Sequence, residues 1–345
     1  MSILGFNKLQ QVMRRLQKQL AASKGLILMY HRVAEVDLDP WSLCVTPQNF
    51  AEQLEVLQRY TQPMSLQQFT EVHQEGKFPH RAVAITFDDG YADNLYSAQP
   101  LLKHYEIPAT IFVSTGYLGK EREFWWDELE RLLLQPGILP KKLVLNIRDQ
   151  IHHWELEQAT HYTEQDYQRD RRCNAWEGKP GSRMSLYYSI WQVLRPLPEA
   201  ERIKVLDQIL TWANADPKPR STYRSLLLDE LSLLAQGELV EIGAHTVTHP
   251  FLSAQSVELQ RDEIQQSKLD LEAIINRSVT SFSYPFGDRT PETIELTKAS
   301  GFNCACSTNA DIVWQQSNSF DLPRFVIENW NGEDFTKQLL RWFHE

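Results

Sequence analysis

The sequence predicts an α/β fold of parallel βα units interrupted by a mainly helical insertion, on three observations. Short apolar runs alternate with amphipathic helical stretches between Gly25 and Val113. That rhythm stops near Gly119 and resumes near Glu238. The apolar runs are short and continuous, as strands buried in a parallel sheet are.

The elements follow in order. Leu9, Val12, Met13, Leu16 and Leu20 fall at helical spacing, with Lys8, Arg14, Arg15 and Lys18 on the other faces. Such a basic amphipathic helix, over residues 1–24, suits docking on the protein or peripheral contact with a membrane surface, and both stay open. Within Gly25 to Arg32 an apolar run of about five residues reads as a buried strand ending at His31. Thr46 caps a helix to Tyr60, with Pro47 in its first turn. Ser65–Gln74 is a second helix, Arg81–Phe87 a second strand, Ser97–Tyr105 a helix and Ala109–Val113 a third strand. Residues 25–118 are thus the first part of the α/β unit.

Residues 119–236 form the insertion. It is polar, tryptophan-rich and punctuated by prolines, with helices over Phe124–Leu134 and Ala200–Ala213 and a short strand near Lys142–Ile147. Trp125, Trp126, Trp154, Trp176, Trp191 and Trp212 fill a small core in the commoner arrangement, and a sugar-stacking platform is the alternative. Residues 237–345 complete the unit: strand Glu238–Ala244, helix Ser256–Asn276, strand Thr280–Ser283, helix Thr290–Ser300 closed by Gly301, then strand candidates Phe302–Ser307 and Phe325–Ile327.

A net charge of −10 carries no basic footprint for nucleic acid. Cys44, Cys173, Cys304 and Cys306 are scattered and read as reduced thiols. No apolar run has the length of a membrane span, and no signal peptide is read at the N-terminus. The expected location is cytoplasmic, including the inner membrane face.

Three constellations carry chemistry. In Thr86-Phe87-Asp88-Asp89-Gly90 a strand delivers two adjacent carboxylates to its C-terminal end, where parallel α/β folds collect their sites. Like charges there call for a cation beside them. His245-Thr246-Val247-Thr248-His249 follows another strand, and two imidazoles at that spacing can converge on one ion. One carboxylate and two histidines leave coordination positions open for water and substrate. Ser283-Tyr284-Pro285-Phe286-Gly287-Asp288 is a turn that can aim a backbone N–H at a developing oxyanion, or be an ordinary βα turn.

Thr-Phe-Asp-Asp-Gly, His-x-x-x-His and Tyr-Pro-Phe-Gly in this order resemble the polysaccharide deacetylase superfamily, the NodB-homology domain of carbohydrate esterase family four. Ala109-Thr110-Ile111-Phe112-Val113 and Pro250-Phe251-Leu252-Ser253 add to the likeness, which covers residues 25–118 and 238–330. The resemblance implies a deformed, incomplete (β/α) barrel and hydrolysis of the acetamide of an N-acetylated sugar in a glycan or glycan precursor. It implies one divalent ion, zinc, held by Asp89, His245 and His249, with Asp88 as general base and the Phe286 backbone N–H as an oxyanion donor.

Two positions depart from the family pattern. The arginine that tethers the base is replaced by Ser283 or Tyr284, and Arg324 is the candidate substitute. The C-terminal catalytic histidine is absent; His31 is the candidate general acid, as in branches of the superfamily with a rearranged order. These departures keep open a non-catalytic glycan-binding or assembly module. A non-haem iron oxygenase shares the ligand inventory but ordinarily pairs the carboxylate, not the second histidine, closely with the first.

Overall fold

The computed structural model describes residues 24–344. The N-terminal helix expected over 1–24, and with it any membrane contact, lies outside the described residues apart from Lys24, which opens the first strand.

Six parallel strands build the sheet: β1 (Lys24–Tyr30), β2 (Ala82–Phe87), β3 (Ala109–Val113), β4 (Val240–Ala244), β5 (Ser281–Ser283) and β6 (Cys304–Cys306), paired in that order from one edge to the other. The runs of β1 to β3 are nearly all apolar because both faces are covered: all six residues of β2 are buried. Beyond β1 lie two short strands, β7 (Val313–Trp314, antiparallel) and β8 (Phe325–Val326, parallel). The chain leading into β8 also touches β6, since Leu322 N donates to Ala305 O at 2.9 Å and Ser307 N to Leu322 O at 2.8 Å. One irregular segment thus spans both edges of the curled sheet, giving the deformed, incomplete barrel.

Local chemistry sets the helices. In α1 (Pro47–Tyr60) the Thr46 side chain accepts from Asn49 N, and Pro47 needs no hydrogen bond at the first position. α2 (Leu66–Glu75) opens on a Ser65/Gln68 capping box. The helix expected from Ser97 starts earlier: a π-turn over Asn94–Ala98 feeds α3 (Gln99–Tyr105). It places Asn94 Nδ2 2.8 Å from the His31 carbonyl, a tertiary bond that propensity does not foretell. The strands after residue 237 are one to three residues shorter than the apolar runs, because their ends turn into loops.

The insertion contributes α4 (Trp125–Leu133), α5 (Arg183–Leu194) and α6 (Glu199–Ala213), and a hairpin pairing Lys142–Ile147 with Gln150–Glu155. Arg148 and Asp149 turn that hairpin with φ of 51° and 61°, a geometry usually given to Asn-Gly, so the sequence signals it weakly. A core around Trp125, Trp126, Tyr187 and Trp191 reaches Tyr91 and Leu38 of the barrel loops, while Leu226, Leu231 and Leu234 join the barrel's own core. Downstream, α7 (Val257–Ile275) and α8 (Pro291–Ala299) pack together outside β4 and β5. All four cysteines are free. No helix among the described residues is long and apolar enough to cross a membrane.

Candidate active site

Because the strands are parallel, their C-terminal ends share one rim. It carries His31 after β1, Asp88 and Asp89 after β2, His245 and His249 after β4, and Phe286 in the loop after β5. Six of the seven residues singled out in the sequence line one cavity of about 290 Å³: His31, Asp88, Asp89, His245, His249 and Phe286. The seventh, Arg324, lies beneath it. A larger hollow of about 440 Å³, around Gln158–Met184 in the insertion, contains none of them.

The backbone is bent sharply to assemble this rim. Asp89, Thr246, His249 and Phe286 have φ of 75°, 64°, 52° and 58°, a region that side chains with a Cβ seldom enter. The His245–His249 loop is held from three sides. Glu263 of α7 accepts from Val247 N and Thr248 N at 2.8 Å each, Arg202 of α6 donates to Thr248 O at 2.9 Å, and Ser114 Oγ donates to His245 O at 2.9 Å. A loop tied at so many points keeps its imidazoles in place without a ligand.

Asp89 Oδ1 lies 3.5 Å from His245 Nε2 and 3.3 Å from His249 Nε2. Donors about 2.0–2.2 Å from one tetrahedral ion stand about 3.3–3.5 Å apart, so these three atoms fit a single cation. His245 Nδ1 sits 2.7 Å from the Ser283 carbonyl, which only accepts, so the proton belongs on Nδ1 and the Nε2 lone pair faces Asp89. Burial pushes His249 down to about 4, against the pull of the Asp89 carboxylate. Burial works to raise Asp89; where a proton rather than a cation stands between it and the His245 and His249 rings, their hydrogen bonds outweigh burial and hold its carboxyl below the usual range. A carboxylate oxygen and two imidazole nitrogens facing one another in a buried space are complementary to a cation.

Asp88, beside this group, is held differently. Arg324 Nη1 and Nη2 donate to its two oxygens at 2.8 and 2.7 Å, and Ser283 Oγ donates to Oδ2 at 3.2 Å. Burial alone would raise the Asp88 carboxyl; the Arg324 charge, with smaller help from His245, holds it below its ordinary value. Arg324 is itself wholly buried, with Nε on Ser307 O at 2.9 Å and Nη1 on Thr86 Oγ1 at 3.0 Å. The tether missing from the Tyr-Pro-Phe-Gly element is therefore supplied from the barrel seam, and Ser283 completes it rather than merely replacing it.

Other wall residues carry no motif. The Phe286 ring lies 4.6 Å from the His249 ring, and Trp126 lies 4.7 Å from the same ring. Trp126, Trp191 and Arg195 come from the insertion and Trp41 and Leu43 from the loop after β1. Trp126 and Trp191 are at once core residues of the insertion and walls of the cavity, so the two sequence alternatives for the tryptophans are not exclusive. The one available signal was their concentration in the insertion.

A family model described as polysaccharide deacetylase matches residues 75–168 and 214–305. Poly-beta-1,6-N-acetyl-D-glucosamine N-deacetylase of Staphylococcus aureus (strain MSSA476) is 32% identical over 112 residues, covering 29% of this chain and 39% of that protein. Its namesake in Staphylococcus epidermidis is 34% identical over 110 residues, covering 28% and 38%. The chain thus spans less than half the length of these relatives. IcaB from Ammonifex degensii superposes with a TM-score of 0.58 at 16% identity, over 94% of this chain and 98% of that one. The Streptococcus pyogenes deacetylase PplD in complex with acetate gives 0.57 at 18% identity, over 93% and 98%. At these identities the structural likeness is one of fold.

Proposed function

The chain belongs to the polysaccharide deacetylase family, and from that premise we propose that it hydrolyses the acetamide of an N-acetylated sugar in a glycan or glycan precursor, using one divalent metal ion, zinc. The observation that carries this reading is the pairing of two sites in one cavity: a three-donor group, Asp89, His245 and His249, and beside it a carboxylate, Asp88, fixed by a buried arginine.

Asp89, His245 and His249 would hold the ion, which supplies Lewis acidity and a more acidic bound water. The chain's own groups do the rest. Asp88 accepts the proton of the attacking water at a carboxylate oxygen, and the Arg324 fork keeps that carboxylate in one orientation. The left-handed turn at Phe286 sets its backbone N–H as the donor for the oxygen that gains charge. His31, on the same cavity wall, gives a proton to the departing amine nitrogen. Trp126, Phe286 and Trp191 form apolar walls that exclude water from the acetyl group and leave the site largely pre-formed.

The names of the staphylococcal relatives support poly-N-acetylglucosamine as the first substrate to try. The test is acetate release from N-acetylglucosamine oligomers by zinc-loaded protein and its Asp88→Asn variant. Release by the wild type and none by the variant is expected. No release from any acetylated amino sugar with zinc, cobalt or nickel would remove the hydrolase reading. The alternative of a non-catalytic module loses much of its motive, because the tether whose absence suggested it is present in Arg324.

A further inference from the structure

The cavity of about 290 Å³ is near the lower limit of ligand pockets, about 300–1,000 Å³, and has room for little beyond one sugar and its acetamide. Further units of an oligosaccharide must lie outside it. Aromatic rings lead out in one direction. Phe286 and Trp191 are 5.9 Å apart, Trp191 and Trp41 4.4 Å, and Trp41 and Trp176 6.0 Å. The first three line the cavity. The last does not, and it is 54% exposed.

This exposure is not explained by packing. Trp125, Trp126 and Trp191 are buried, as a large apolar side chain in a small core should be. Trp176 sits on a one-turn 3₁₀ segment, Ala175–Glu177, anchored to the loop that carries Trp41: Ala175 N donates to Pro40 O at 2.8 Å and Ser42 Oγ to Asn174 Oδ1 at 2.7 Å. The Trp41 indole N–H is engaged by Tyr187 Oη at 2.5 Å, which pins that ring by its edge. The two indoles are thus fixed relative to each other by hydrogen bonds between insertion and barrel loop. A rigid aromatic pair, one ring open to solvent and the other bordering the catalytic cavity, suits the flat C–H face of a pyranose, which is apolar while its rim is polar.

We infer that Trp41 and Trp176 form a carbohydrate subsite that takes the sugar units adjoining the one in the cavity, so that the insertion gives a preference for oligomers over single sugars. This rests on the deacetylase reading for the identity of the central sugar, but binding is separable from turnover. The ligands are β-1,6-linked N-acetylglucosamine hexamer and the monosaccharide, titrated by calorimetry into zinc-loaded full chain carrying Asp88→Asn to stop hydrolysis.

Loss of one stacking ring, with Trp176→Ala added, should weaken hexamer binding by about tenfold. Monosaccharide binding should stay unchanged, and Trp176→Phe should restore most of the hexamer affinity. In the otherwise wild-type enzyme, Trp176→Ala should raise the hexamer KM by a similar factor and leave kcat as it was. Equal hexamer affinity with and without the Trp176 ring overturns the subsite, and so does a hexamer that binds no more tightly than the monosaccharide. Hexamer binding that depends on Trp176, in a chain that releases no acetate, supports the subsite while removing the deacetylase reading.

Discussion

Arg324 and Asp88, 236 residues apart in sequence, meet through two parallel hydrogen bonds of 2.8 and 2.7 Å, with the arginine wholly shielded from solvent. The pair ties the barrel seam to the end of β2, so it serves both the fold and the carboxylate next to the three-donor group. Removing one partner of a buried ion pair strands the other's charge. Arg324→Ala is therefore expected to cost about 3–5 kcal/mol of stability. Arg324→Lys keeps the charge but loses the planar fork. It should fold, bind zinc one to one and lose about 100-fold in kcat, the scale of a misplaced general base. Denaturation midpoints, zinc content and kcat measured on the same preparations check this; full activity in Arg324→Lys would show that orientation of Asp88 is immaterial.

His31 lines the cavity but is not among the three donors. His31→Gln should lower kcat about 10²–10⁴-fold, the range for a lost acid catalyst, with zinc content unchanged. A substrate whose leaving amine needs no protonation should lose much less. Unaltered kcat/KM on the natural substrate class would exclude His31 from the chemistry.

Metal binding is expected to stabilise the fold, because the three donors converge only in the folded chain. At free zinc about a thousandfold above Kd the gain is about 4 kcal/mol. A strong chelator should therefore lower Tm, and zinc should restore it. Asp89→Asn should abolish the response. A Tm indifferent to chelation in the wild type would mean that no ion is held there.

Two buried carboxylates of the insertion are raised by their surroundings. Burial pushes Asp127 up to about 7, against the attraction of Arg32, and Glu130 up to about 8, against that of Arg220. Glu123 shares Arg220 with Glu130. A carboxyl whose folded pKa is raised stabilises fully below its unfolded value of about 4, and that stability is lost as pH rises through the folded pKa. Tm should decline from about pH 4 to 8, and Asp127→Asn, which still accepts from Tyr91 Oη, should flatten the part of the decline below about pH 7. An equal slope in both proteins would place the titration elsewhere.

The six candidate residues that meet in the cavity were legible because each sits in a short motif at the end of a buried strand, and parallel strands bring such ends together whatever lies between them. The fold was legible for the same reason: β1 to β3 are nearly continuous apolar runs, and β4 is one broken by Glu241. Arg324 could be named from its place before β8, but not its partner, since pairing across 236 residues depends on how the seam closes. The cavity walls were not legible as walls. Trp126, Trp191 and Arg195 reach the site only through packing of the insertion helices, and Trp126 meets His249 across a distance in sequence that no periodicity spans. The π-turn at Asn94 and the Arg148-Asp149 hairpin turn escape for a related reason, being imposed by tertiary bonds on residues with weak local preference.

The most direct measurement is anomalous diffraction at the zinc edge on crystals of the zinc-loaded protein. One ion is expected, bound by a single Asp89 oxygen and by Nε2 of His245 and His249 at about 2.0–2.2 Å, with an open position facing Asp88. A chain that binds zinc elsewhere, or leaves these three side chains without an ion at saturating zinc, would contradict the account.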